Sequence, residues 1–168
     1  VGALFPTLSR RYQTDRKSFE RAYVQSFRLM AVIGAPVCAG VTLFASQLVR
    51  LAFGEGFEAS AWVLQLLAWA GLLVAFGNLN GSVLYAAGRQ KVMAVVCGLG
   101  LILNIGLNIW LIPPYTYMGA AFATLVTELL VWLSLMGYLR YRLGLDTHQL
   151  WGMPDLKYLK SEEKTHGD

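Results

Sequence analysis

Few side chains in this 168-residue chain could do chemistry, and those that could sit in apolar company. Glu128 lies inside "LVTELLVWLSL" (Leu125–Leu135). A charged carboxylate at the centre of a membrane span costs about 2.5–3.5 kcal/mol on insertion scales, so it must be protonated, paired or turned toward water. Asn104 and Asn108 stand i,i+4 in another apolar run, and Thr124 and Glu128 repeat that spacing, so each pair shares a helix face. Asn78 and Asn80, within "GNLNG" (Gly77–Gly81), fall about 200° apart around a helix and so on different faces. Arg28 and Arg50 stand near the two ends of an apolar run, where an arginine anchors a span or meets an anionic head group. Amides and carboxylates at such depth either bond helices together or line a proton- or substrate-linked path.

Other chemistries have nothing to work with. His148 and His166 have no ligand spacing around them, so no metal is expected. Cys38 and Cys97 both fall in apolar runs and read as small packing residues. There is no nucleophile with a base, no paired carboxylate and no phosphate loop, so neither an enzyme nor a cofactor is expected.

The elements that must hold these residues are apolar helices. Hydrophobic residues make up 56% of the chain and charged residues 14%, against roughly 25% charged in a soluble domain. Four runs, Phe27–Ala45, Ala61–Ala87, Val92–Ile112 and Tyr117–Leu139, are about as long as the roughly 20 residues a bilayer requires. The expected fold class is therefore all-α, an integral-membrane helical bundle of four spans. "VGALFP" reads as the end of a preceding fifth, so residues 1–6 belong to that helix and the chain is expected to begin mid-protein. Residues 7–26 are polar and basic and read as a connection, 27–142 as the spans, and 143–168 as a polar tail. Pro36 inside the first run removes a backbone hydrogen bond and predicts a kink.

The net charge of +4 would ordinarily raise nucleic acid or an anionic surface as partner. Placement decides otherwise. Of 14 basic residues, only Arg50 falls in a connection on the other side; the remaining 13 lie before or at the start of the first run, between the second and third, or after the fourth. That is the positive-inside pattern, which puts residues 7–26 and the tail in the cytoplasm, makes membrane lipids the partners and leaves no role for nucleic acid.

The short connection between the third and fourth runs, centred near Thr116, makes an antiparallel pair. Residues equally far from the turn then share a depth, Asn104 with Glu128 and Asn108 with Thr124. These four are expected to form a polar ladder, with Glu128 hydrogen-bonded to Asn104.

Four blocks, "LFPTLSRRY" (Leu4–Tyr12), "APVCAGVTLFASQLVRLAFGEGFEASAWVLQLLAW" (Ala35–Trp69), "LYAAGRQK" (Leu84–Lys91) and "LNIGLNIWLIPPYTYMGAAFATLVTE" (Leu103–Glu128), resemble the C-terminal part of polysaccharide flippases. These belong to the multidrug/oligosaccharidyl-lipid/polysaccharide exporter superfamily, which includes O-antigen flippases. The last block is the most specific, an N-x-x-x-N helix, an L-I-P turn, then G-A-A-x-A-T and an acid. The chain departs from the family at the turn, where Thr116 and Tyr117 stand in place of a frequent glycine.

The resemblance implies part of a two-lobed exporter whose N-terminal lobe lies outside this sequence. Its implied substrate is a polyprenyl-diphosphate-linked oligosaccharide, flipped across a bacterial inner membrane for polysaccharide or lipopolysaccharide biosynthesis. Two other readings stand beside it: a drug/cation antiporter of the same superfamily, which a mid-membrane carboxylate would suit, and a small non-transporting membrane scaffold.

Overall fold

The structure is a computed structural model that describes residues 16–145. The expected end of a preceding helix at 1–6, residues 7–15 of the connection and tail residues 146–168 lie outside the described residues. Those described form three helices, α1 (Arg16–Phe53), α2 (Ser60–Ala86) and α3 (Gln90–Arg142), with no strand among them.

Each helix is long and apolar enough to cross a membrane. Only 11%, 22% and 6% of their most apolar windows are buried inside the chain, so most of that surface must face lipid or other protein. The protein is a multi-pass membrane protein. Where four separate runs were expected, the third and fourth are one helical segment interrupted at Thr116 (φ 51°, ψ −132°). The two arms of α3, residues 90–115 and 117–142, fold back on each other, with Gly100 against Val131 and Gly119 against the Leu111 backbone. Thr116 alone has non-helical backbone angles between the two arms, and Pro113 and Pro114 lie just before it.

The first helix also differs from its expected bounds. It begins at Arg16 rather than Phe27, because "RKSFERAYVQSF" has its own buried face. Phe19, Tyr23 and Phe27, four residues apart, are each no more than 2% exposed. Part of the expected surface connection is therefore core. Pro36 lies inside α1, which continues past it to Phe53.

The α1–α2 connection turns at Gly54 and Gly56, both with positive φ. The α2–α3 connection is a Schellman turn, with Arg89 N–H bonded to Leu84 O (2.8 Å), Gly88 N–H to Tyr85 O (3.1 Å), and Gly88 at φ 67°. At the end of α3 the Arg16 guanidinium donates to the carbonyls of Leu143 and Gly144, stapling the first helix to the last.

These connections bring Arg16, Arg89 and Arg142 to one end of the bundle, called the basic end below. The main core lies toward that end, where Tyr23, Phe27, Phe76, Leu79, Leu135 and Leu139 interlock. The opposite end has only a small cluster of Ala45, Val49 and Ala61.

Candidate functional site

The polar residues of α3 meet along the seam between its arms. Gly100 makes this close approach possible, since a Cβ there would stand 2.6 Å from Val131 Cγ2 and 3.7 Å from Thr127 Cγ2. One turn further along, Asn104 Nδ2 donates to Thr127 Oγ1 at 3.3 Å. Asn108 Nδ2 donates at 2.9 Å to both the carbonyl and the side-chain oxygen of Asn104, which orients that amide toward the opposite arm. Thr127 is 6% exposed, so its hydroxyl is satisfied out of water by Asn104.

Asn104 and Asn108 thus come together as expected, but the cross-arm partner is Thr127 and not Glu128. Depth was judged correctly to within one residue. One residue is about 100° of helix rotation, which turns Thr127 into the seam and Glu128 to its flank. Glu128 is half-buried and has no hydrogen bond or ion pair among the described residues. Thr124 Oγ1 donates to Ala120 O in its own helix (2.9 Å) rather than across to Asn108. The Asn104–Glu128 hydrogen bond and the four-membered ladder are corrected accordingly.

A second polar node ties all three helices together. Tyr23 Oη donates to Asn80 Oδ1 at 2.8 Å and lies 3.7 Å from Met136 Sδ. Beneath it Phe27 stacks on Phe76 (4.4 Å between centroids, 19°), and Phe76 tilts against Trp132 (6.2 Å, 40°). Asn80 Nδ2 and Trp132 Nε1 are buried without a partner among the described residues. Tyr23, Thr127 and Trp132 were not singled out in the sequence. The i,i+4,i+8 aromatic spacing of Phe19, Tyr23 and Phe27 was the available signal, hidden because the surrounding residues are polar.

The remaining expected residues separate. Asn78 is exposed, and its carbonyl accepts from Ser82 Oγ (2.9 Å), so the two amides of "GNLNG" point to different sides of a regular helix. Arg28 is half-buried and follows Phe27, whose stacking partner Phe76 lies ten residues before the end of α2. That puts the Arg28 backbone about 15 Å from the basic end, deeper than an interfacial anchor. Arg50 pairs with Glu55 at 2.6 Å, both largely exposed, so its cation already has an acid beside it. At the opposite end, Thr42 gathers Gln65 Nε2 on its carbonyl (3.0 Å) and Trp69 Nε1 on its hydroxyl (3.1 Å). Among the described residues no cluster of His, Cys, Asp and Glu could hold a metal ion.

Comparison with known proteins adds to this geometry. The family model for the lipid II flippase MurJ matches residues 1–159. An uncharacterised membrane protein of Methanocaldococcus jannaschii is 23% identical over 141 residues, 83% of this chain and 28% of its own length. "Probable low-salt glycan biosynthesis flippase Agl15" of Haloferax volcanii is 25% identical over 125 residues, 74% of this chain and 26% of its own. "Lipopolysaccharide biosynthesis protein WzxC" of Escherichia coli is 33% identical over 89 residues, 53% of this chain and 18% of its own. The chain therefore spans between 18% and 28% of the length of these relatives. No solved structure matches.

Proposed function

The chain belongs to the family of the lipid II flippase MurJ, and on that premise we propose that it is the C-terminal part of a transporter that flips a polyprenyl-diphosphate-linked oligosaccharide across the bacterial inner membrane. The observation that carries this reading is the family match over nearly the whole chain, joined by relatives named for glycan and lipopolysaccharide synthesis. In this reading α1, α2 and the two arms of α3 make four crossings, and the basic end faces the cytoplasm. The length of the relatives supports a further lobe of the same protein beyond this segment.

Asn104, Asn108 and Thr127 hold the last two crossings together. Glu128, free of that hydrogen bonding, is the group whose charge can change during a transport cycle, and an unpaired carboxylate there suits coupling to a cation. That same carboxylate is what favours the second reading, a drug/cation antiporter. Arg50, paired with Glu55 at the opposite end, stands as an interfacial anchor, and Arg28 lies deeper in the span.

The test is genetic and chemical. The intact gene should restore surface glycan in a strain lacking its flippase and clear the accumulated lipid-linked oligosaccharide. Changed drug tolerance without glycan rescue would favour the antiporter. Glu128→Gln in the intact protein should lower export at unchanged abundance; unchanged export would leave Glu128 a structural group only.

A further inference from the structure

A groove of about 420 Å³ opens at the basic end, between the α2–α3 turn and the first turns of α3. Its lining is Tyr85, Gln90, Lys91, Met93, Ala94 and Cys97. The order along the helix is amphipathic. Gln90 and Lys91 stand at the turn, and Met93, Ala94 and Cys97 carry the wall about 10 Å toward the middle of the span. Gly81 sets the wall's position, because a Cβ there would meet Met93 Cε at 3.1 Å and Sδ at 3.3 Å. A side chain at position 81 would make the end of Met93 shift by a few tenths of an ångström.

At its mouth the charge of this groove is positive, while at its deep end the Glu128 carboxylate lies close enough to act on Cys97. Lys91 is exposed and has no ion pair among the described residues, Arg89 is exposed beside it, and no acid lines the mouth. Cys97 is also exposed, so its apolar stretch of wall opens outward, away from the packed core. A soluble anion has no use for that wall, and an apolar molecule has no use for the lysine.

We propose that this groove binds an anionic phospholipid of the leaflet at the basic end. The phosphate sits at Lys91 and Gln90, and the first methylenes of its chains lie along Met93, Ala94 and Cys97. The volume falls within the roughly 300–1,000 Å³ of small-molecule sites, enough for a head group and the start of its chains. Binding here does not depend on which substrate the protein moves.

The experiment uses the intact protein in detergent with Cys38→Ser, which leaves Cys97 as the thiol of this segment to be labelled. Phosphatidylglycerol or phosphatidylcholine is added, and retained lipid is counted by native mass spectrometry while maleimide labelling of Cys97 is timed. Phosphatidylglycerol should be retained in preference to phosphatidylcholine and should slow labelling. Lys91→Gln should weaken its retention about fivefold, the effect of one cation at a lipid surface. Arg142→Gln, at the same end but outside the groove, should leave retention unchanged. Equal retention of the two lipids, or of phosphatidylglycerol by wild type and Lys91→Gln, would overturn the proposal. So would an equal loss in Arg142→Gln, which would mean a diffuse surface charge. Displacement of phosphatidylglycerol by an equal amount of undecaprenyl diphosphate would also overturn it, assigning the groove to a polyprenyl substrate.

Discussion

The basic-end core and the seam of α3 are built from opposite materials. In the core, large side chains interlock: Tyr23, Phe27, Phe76 and Leu135 fill space between three helices, around one buried hydroxyl–amide bond. In the seam, side chains are small or missing, and Gly100 and Gly119 let the arms approach until Asn104 reaches Thr127. The comparison teaches that two means of packing serve side by side at one depth, since Gly100 meets Val131 beside the Trp132 that packs on Phe76. Lipid tails are as apolar as leucine, so helices within them gain little from burying more apolar surface. They gain from close van der Waals contact and hydrogen bonds, which small residues permit. Large aromatic side chains gain the same contact by filling the space between three helices, as Phe27, Phe76 and Trp132 do.

The comparison breaks most severely at Gly119. A side chain there meets the carbonyl and carbon of Leu111, main-chain atoms that cannot rotate aside. Gly119→Val should open the arms and cost about 3 kcal/mol or more. Loss of the monodisperse folded species in detergent, or a steep fall in its denaturation midpoint, checks it. A Gly119→Val protein as stable as wild type would mean that the arms need not touch.

The next effect belongs to the core. Tyr23→Phe leaves Asn80 buried with neither end of its amide bonded among the described residues, since its Nδ2 is already unpartnered. The cost should be about 1–3 kcal/mol. Adding Asn80→Leu should recover most of it, because removing both partners of a buried bond is nearly neutral. A thermodynamic cycle of the two single variants and the double measures this, and additive losses would deny the bond its role.

In the seam, Asn104→Leu should cost less, about 0.6–2 kcal/mol, the range for hydrogen bonds between membrane helices. Thr127→Val should cost no more, and the pair should not add. Denaturation in mixed micelles resolves both. An additive double variant would show that Asn104 works through some other residue.

The smallest change is a gain. Thr116 holds φ 51° with a β-branched side chain, a conformation glycine reaches freely. Thr116→Gly should relax the turn by about 1 kcal/mol and raise the thermal midpoint slightly. A lower midpoint would show that the Thr116 side chain has partners worth more than the backbone strain.

Much of this was legible in the sequence because it depends on composition and order. Apolar runs separated by short turns can only be membrane helices, since a bilayer leaves no other way to satisfy the backbone over such lengths. The G-R-Q-K and P-P-Y-T turns lie where they were expected, and the i,i+4 amides share a face because helix geometry leaves them no choice. The Arg16–Gln25 stretch was misjudged because its polar residues outnumber its apolar ones, and only the partners Asn80 and Met136 reveal that Tyr23 points inward.

The sequence by itself determined the membrane class, the depth of Asn104 and Asn108 relative to the opposite arm and the end at which the basic residues gather, because these follow from position along a helix. Only the tertiary structure decided which side chain turns inward at a given depth. The half-residue offset of the Thr116 turn chose Thr127 over Glu128, since one step along a helix moves a residue about 1.5 Å but rotates it about 100°.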